Sequence, residues 1–295
     1  MFTLVHITDL HLAPLPIPTA DEMSFKRRLA YISWTKNRHR IHHPDVIAAI
    51  AADIKTVAPD HIAVSGDLTN MALDREFENA TRWLEQFGDD SKISVVPGNH
   101  DAYRSDYEEA IEKHWSRFTA GDGFPFMREF DDFALICVSS GVKTQPFMAN
   151  GVVSDEQLAK LEAMLADAAD KGLPRVVMIH HPVHSGATKV RKKLTNSREF
   201  RAVIDKAGAE LILYGHLHKP LRTSIPANGG LAAIRGAGSA SASGFDGTRP
   251  AHYHVIRVTD KNTFEIEHRA YDPASRAFYK TDTETLPITL NICPN

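Results

Sequence analysis

Asp9-Leu10-His11 closes the apolar run Phe2–Thr8, and Gly215-His216-Leu217-His218 closes the apolar run Ala209–Tyr214. Three similar blocks lie between them. Gly66-Asp67-Leu68-Thr69-Asn70 follows His61–Ser65, Gly98-Asn99-His100-Asp101 follows Lys92–Val96, and His180-His181-Pro182 stands at the end of Arg175–His180. Short, nearly continuous apolar runs are the pattern of strands buried on both faces. Phe133–Ser139 is a further run of this kind.

Helix-length segments separate the runs. Ser154 with Gln157 three residues on forms a capping box, and Leu158, Leu161, Leu165 and Ala168 make one apolar face until Gly172 and Pro174 stop it. Pro44–Val57 reads the same way, and Leu73–Phe87 and Asp106–Phe118 are further helix candidates. After Gly215 the pattern turns to strands, at Leu221–Ile225, Leu231–Arg235, His252–Thr259 and Thr263–Ala270. The fold class is therefore α/β with a β-rich C-terminal portion from about residue 219. The stretch Gly236–Gly244, rich in Gly, Ala and Ser, reads as a flexible surface loop, and the tail after about Thr283 as loosely ordered.

Of the 295 residues, 43% are hydrophobic and 24% charged, and the net charge is −3, so bulk attraction to nucleic acid or acidic membranes is not favoured. No apolar run reaches the roughly 20 residues that span a bilayer. The N-terminus lacks the basic and cleavage features of a secretory signal. Cys137 and Cys293 are the two cysteines; they form no disulfide framework and fit a reducing compartment, with the cytoplasm as the expected location. Cys137 is expected to be buried and inert.

Ligand sites in open α/β sheets form where strands end. Asp9, His11, Asp67, Asn99, His180, His216 and His218 all stand at such ends. Alternation along an extended chain would point Asp9 and His11 the same way, and likewise His216 and His218. Carboxylates, imidazoles and one amide suit two borderline-hard divalent ions such as Mn, Fe, Co or Zn, not a thiolate site.

The ordered blocks D-x-H, G-D, G-N-H-D, H-H-P and G-H-x-H resemble the calcineurin-like metallophosphoesterase superfamily. The resemblance implies a four-layer sandwich of two mixed β-sheets flanked by helices, formed by a single domain over residues 1–295 with a binuclear metal site at the strand ends. It implies that Asp9, His11, Asp67 and His218 hold one ion, and that Asp67 bridges to a second held by Asn99, His180 and His216. It implies hydrolysis by a hydroxide shared between the ions. His100 would protonate the leaving oxygen or donate to the phosphate, Asp101 would orient its imidazole, and Asn99 would also meet substrate. Asn70 would hold its loop. His181 reads as a neighbour of the metal, not a ligand.

Size and blocks resemble the small bacterial branch that hydrolyses cyclic nucleotides or glycerophosphodiesters. The expected activity is that of a phosphodiesterase on small diesters such as cyclic nucleotides. The alternatives are a phosphomonoesterase, a lipid-headgroup phosphohydrolase, or a non-catalytic protein-binding scaffold. A helical insert at about 19–43 departs from the minimal core. It carries Lys26, Arg27, Arg28, Lys36, Arg38, His39 and Arg40 among apolar residues. Four readings stand open for it: a lid or phosphate clamp that uses Arg28, a weak membrane-surface helix, a homo-oligomer contact, or a solvated basic helix. His184 is a further candidate substrate contact. His252 and His254 read as exposed or structural.

Overall fold

The computed structural model describes residues 1–288 except 122 and 261. Its strands form two six-stranded sheets. In the first sheet, β1 (Phe2–Ile7), β2 (His61–Val64) and β3 (Ile93–Val95) run parallel. The second sheet has a parallel centre, β5 (Ala134–Cys137), β6 (Arg175–Met178), β7 (Leu211–Tyr214) and β9 (Gly230–Gly236), with β4 (Phe126–Glu129) and β8 (Leu221–Ala227) as antiparallel edges. The antiparallel set β10 (His252–Asp260), β11 (Thr263–Asp272) and β12 (Ala277–Pro287) completes the first sheet beyond β1.

Inner faces meet through fully buried Leu4, Ala63, Leu135, Val176, Leu213 and Ile256. On the outer faces, Val5, Ile7 and Val64 pack against the helices Pro44–Val57 and Asp74–Glu85, and Ile136, Val177 and Ile212 pack against Asp155–Asp170 and Ser197–Ala207. Helices outside, two sheets inside: this is the four-layer sandwich expected from the sequence. The outer helices bury apolar stripes at 3- and 4-residue spacing, and Ser154 Oγ caps Asp155–Asp170 by accepting the Gln157 N–H at 3.2 Å. Cys137 is buried, which pushes its thiol pKa up; Cys293 lies outside the described residues. No helix among the described residues is long and apolar enough to cross a membrane.

Two expectations are corrected. Residues up to Pro287 are not loosely ordered, because β12 pairs with β11 from Asp272↔Ala277 to Thr263↔Pro287. The stretch Gly236–Gly244 is not a surface loop either: Gly236–Ala242 is buried. Its Ala237 N–H bonds Tyr214 O in one sheet at 3.0 Å, and its Ala240 N–H bonds Thr8 O in the other at 2.9 Å. Small residues are required here because the segment threads between the two sheet ends.

Candidate metal centre

The loops that follow β1, β2, β3, β6 and β7 converge at one end of the sandwich. Asp9 N–H donates to Gly66 O and His11 N–H to Asp67 O, each at 2.9 Å, so the first two loops are laced together beyond their strands. Asp9, His11, Asp67, His216 and His218 all have positive φ, between 40° and 66°. The expected extended alternation is therefore wrong for both pairs. Each chain turns sharply as it leaves its strand, and a left-handed step at each donor re-aims it. Such residues cost on the order of 1–3 kcal/mol each and persist where surrounding structure holds them. Gly98 and Gly215 permit the close approach: a Cβ would fall 2.2 Å from Asp67 Oδ1 and 1.9 Å from Thr8 Oγ1.

Seven sequence-predicted residues come together. Asp67 Oδ2 lies 3.7 Å from His11 Nε2 and 3.5 Å from His180 Nε2. Asp9 Oδ1 is 3.2 Å from His218 Nε2, and His11 Nε2 is 3.3 Å from His218 Nε2. Asn99 Oδ1 is 3.3 Å from His180 Nε2. His216 offers a nitrogen within 4.8 Å of the His180 and His181 donors. His11 Nδ1–H donates to Thr69 O at 3.1 Å and His180 Nδ1–H to Ser65 O at 2.7 Å, which turns each Nε2 toward the centre.

The electrostatics ask for positive charge. Burial works to lower the His180 pKa, yet Asp67 and Asp9 lift it to about 9. Asp67 is held well below the carboxylate range against its own burial, chiefly by His180 and His100. Asp9 Oδ1 and His216 Nε2 are buried with no hydrogen-bond partner. Oxygen and imidazole donors, two of them orphaned, around shared carboxylates fit a pair of divalent ions.

Asp101 does not orient His100, contrary to expectation. Its carboxylate accepts from Gly98 N–H (2.9 Å), Asp67 N–H (2.7 Å), Thr69 N–H (2.9 Å) and Thr69 Oγ1 (2.9 Å), binding the G-D and G-N-H-D loops together. Burial, then the Asp67 charge, raises its pKa to about 6. The His100 ring is set by Asn70, whose carbonyl accepts from Nδ1 at 2.7 Å. Asn70 also holds its loop, donating to Leu12 O at 3.2 Å. Both His181 nitrogens are engaged, at Ser140 Oγ (2.8 Å) and Ala149 O (3.2 Å). His184 packs on the Tyr214 ring, 5.9 Å between centroids, and is not among the converging groups.

The insert reaches the centre by residues that the sequence did not single out. A helix, Phe25–Ser33, continues into a π-helical turn, Trp34–Arg38, that carries Arg38 to His100, with 3.4 Å between Nη1 and Nε2. Arg28, the residue named for the clamp among the four open readings, is exposed. His42 follows, buried, its ring 4.5 Å from that of His11 and its Nδ1 2.8 Å from Ser241 Oγ. Nor is the basic face simply solvated. Lys26 Nζ donates to Thr144 O at 3.0 Å, and Arg27 donates to the carbonyls of Met71 (2.9 Å) and Ala72 (2.6 Å). The overlooked signal is His42-His43-Pro44, a ligand-type pair just before a helix start.

Fold and site together are those of a two-sheet sandwich whose strand-end loops gather donors for a pair of metal ions. The calcineurin-like phosphoesterase family model matches residues 2–220, and the chain belongs to that family. It is similar to a probable cyclic nucleotide phosphodiesterase of Synechococcus, 28% identical over 179 residues. That match covers 58% of this chain and 63% of the relative. It is also similar to the glycerophosphodiester phosphodiesterase GpdQ of Enterobacter lignolyticus, 32% identical over 126 residues and 42% of each chain. The chain thus spans less than two thirds of the curated relatives it matches. Among solved structures, a dimetal phosphatase from Danio rerio aligns over 98% of this chain and 99% of its own, with a TM-score of 0.67 at 15% identity. Purple acid phosphatase PPD1 of yellow lupin aligns over 100% of this chain and 56% of its own, with a TM-score of 0.65 at 13% identity. At such identities the likeness concerns the fold.

Proposed function

We propose that the protein is a metal-dependent phosphodiesterase acting on small diesters, with cyclic nucleotides as the leading class. The observation that carries this is Asp67 Oδ2, within 3.7 Å of His11 Nε2 and 3.5 Å of His180 Nε2, at the junction of two donor sets. Asp9, His11, Asp67 and His218 would hold one ion. Asp67, Asn99, His180 and His216 would hold the other. When bound, the two ions supply Lewis-acid neutralisation of phosphoryl oxygens and acidify a water for attack.

The chain's own groups do the rest. Asn70 O and Thr69 O fix the tautomers of His100 and His11. Asp101 holds the loops that present Asp67 and Asn99. Burial, then Arg38, keeps the His100 pKa down at about 4. An anionic ester between His100 and Arg38 reverses that bias by its own charge. His100 then carries a proton at Nε2, directed at the leaving oxygen, while Arg38 donates to a phosphoryl oxygen. Trp34 and His42, both buried, exclude water along the insert side.

Arg38 favours one second reading, a phosphomonoesterase, because a guanidinium beside His100 would also hold a terminal dianionic oxygen. A lipid-headgroup role has less support, since Lys26 and Arg27 are occupied by carbonyls. The intact donor set speaks against a scaffold. The buried, inert Cys137 fits a cytoplasmic setting. The test is a set of initial rates of Mn-loaded protein on 3′,5′- and 2′,3′-cyclic nucleotides, a glycerophosphodiester and p-nitrophenyl phosphate. Cyclic nucleotides should give the highest kcat/KM. Faster turnover of the monoester would overturn the diester reading, and preference for the glycerophosphodiester would overturn the cyclic-nucleotide class.

A further inference from the structure

A second histidine cluster lies between the sheets, away from the strand-end centre. His252 and His254 sit two apart on β10 and share a face, and His268 on β11 is the register partner of His254. The three are 5%, 0% and 3% exposed, so of the two readings of His252 and His254, exposed or structural, burial excludes the first. Ring centroids are 4.9 Å apart for His252 and His254, 4.8 Å for His254 and His268, and 5.6 Å for His252 and His268. One nitrogen from each lies within 4.8 Å of the other two.

The hydrogen bonds leave this cluster incomplete. His254 Nδ1 meets His6 Nδ1 at 3.2 Å, and His6 Nε2 meets Ser65 Oγ at 2.8 Å. His254 Nε2 is buried with no partner. Whichever tautomer His254 adopts, a lone pair or an N–H is stranded, at a cost of about 1–3 kcal/mol. His268 Nε2–H donates to Glu284 Oε1 at 2.8 Å, which leaves Nδ1 as its lone pair. A carboxylate behind an imidazole raises its basicity as a ligand. His252 Nδ1 takes only a 3.4 Å contact from Gly238 N–H. The facing charges are Arg235, which pairs with Glu284, and Arg222, which pairs with Asp282 and Glu284. Glu284 is thus already shared, and imidazole nitrogens are the donors left over.

We propose that His252, His254 and His268 form a separate site for one transition-metal ion of the zinc class, pinning β10 to β11 between the sheets. Three neutral imidazoles with a fourth position open suit Zn(II) or Co(II) and disfavour Mg(II) or Ca(II). The ion would take up the stranded Nε2 of His254. Its place is distinct from the strand-end centre, to which it connects through His6, Ser65 and the Ser65 carbonyl that holds His180, and through His252 N–H on Ser239 O with Ser239 Oγ on Asp9 O.

The test uses the full chain carrying Asp67→Ala, which weakens the strand-end centre, grown in zinc-supplemented medium and dialysed. Elemental analysis and anomalous diffraction at the zinc edge are then compared with Asp67→Ala/His254→Leu. The proposal expects an anomalous peak among the three histidines, at about 2.0–2.1 Å from nitrogen, and one zinc equivalent lost in the double variant. Wild-type crystals soaked in zinc give the same readout if the double variant does not fold. No peak among these histidines in Asp67→Ala or in soaked wild type would overturn it. So would a zinc content unchanged by His254→Leu.

Discussion

Asp101 touches no predicted ligand side chain through its carboxylate, yet its four hydrogen bonds decide where Asp67 and Asn99 stand. Asp101→Asn replaces one of the two accepting oxygens with an amide N–H₂, so at least one buried N–H loses its acceptor. The expected cost is about 1–3 kcal/mol, read as a lower melting temperature both with and without metal. An unchanged melt would show that the loops hold themselves. The donors were legible in the sequence because residue type and strand-end position both pointed to them. The left-handed backbone at Asp9, His11, Asp67, His216 and His218 was not, since nothing in a side chain of that type announces φ. Asp101's role was missed because adjacency in sequence suggested a partnership with His100 that the loop geometry redirects to backbone N–H groups.

Elements that are buried on both faces declared themselves. β1, β2, β5, β6 and β7 fall within the apolar runs, trimmed by a residue or two. β12 did not, because as an edge strand it is largely exposed and reads as polar. Ser197–Ala207 went unread although Phe200 and Ile204 are its buried stripe. Gly236–Gly244 misled because the small residues that make a linker flexible are also those that fit between two sheet ends. The insert was recognised as a basic helix, but which arginine turns inward depends on the π-helical turn at Trp34–Arg38, a register that composition does not display. Arg38→Ala should therefore lower diester kcat/KM by roughly ten- to a hundredfold, the effect of losing a charge-assisted hydrogen bond of about 1.5–3 kcal/mol. Arg28→Ala should leave it unchanged. The opposite ranking in steady-state kinetics would place the clamp on the wrong arginine. Ser154→Ala should cost about 1 kcal/mol in urea unfolding; no change in midpoint would mean that the cap contributes nothing.

Over the whole molecule, buried histidines set the response to acid. Burial holds His6, His61 and His252 at pKa values of about 3, the small opposing or added effects of neighbours notwithstanding. In the unfolded chain each returns to about 6.5. Below that value the unfolded state takes up protons that the native state refuses, so stability is full above about pH 6.5 and falls as pH drops toward 3. Three such groups give a slope of up to about 4 kcal/mol per pH unit near pH 5. Total stability is on the order of 5–15 kcal/mol, so urea midpoints should decline steeply between pH 6.5 and 5. Equal midpoints at those two values would mean that these histidines are solvated or already charged in the native protein.

On the function proposed here, Asp67 joins two donor sets into one hydrolytic centre. The most direct test is hydrolysis of bis(p-nitrophenyl) phosphate by the Mn-loaded protein beside Asp67→Ala, with folding of both checked by circular dichroism. The wild type should turn the diester over, and the folded variant should fall to background. Turnover that survives Asp67→Ala, or a metal-loaded wild type inert toward this diester, would contradict that proposal.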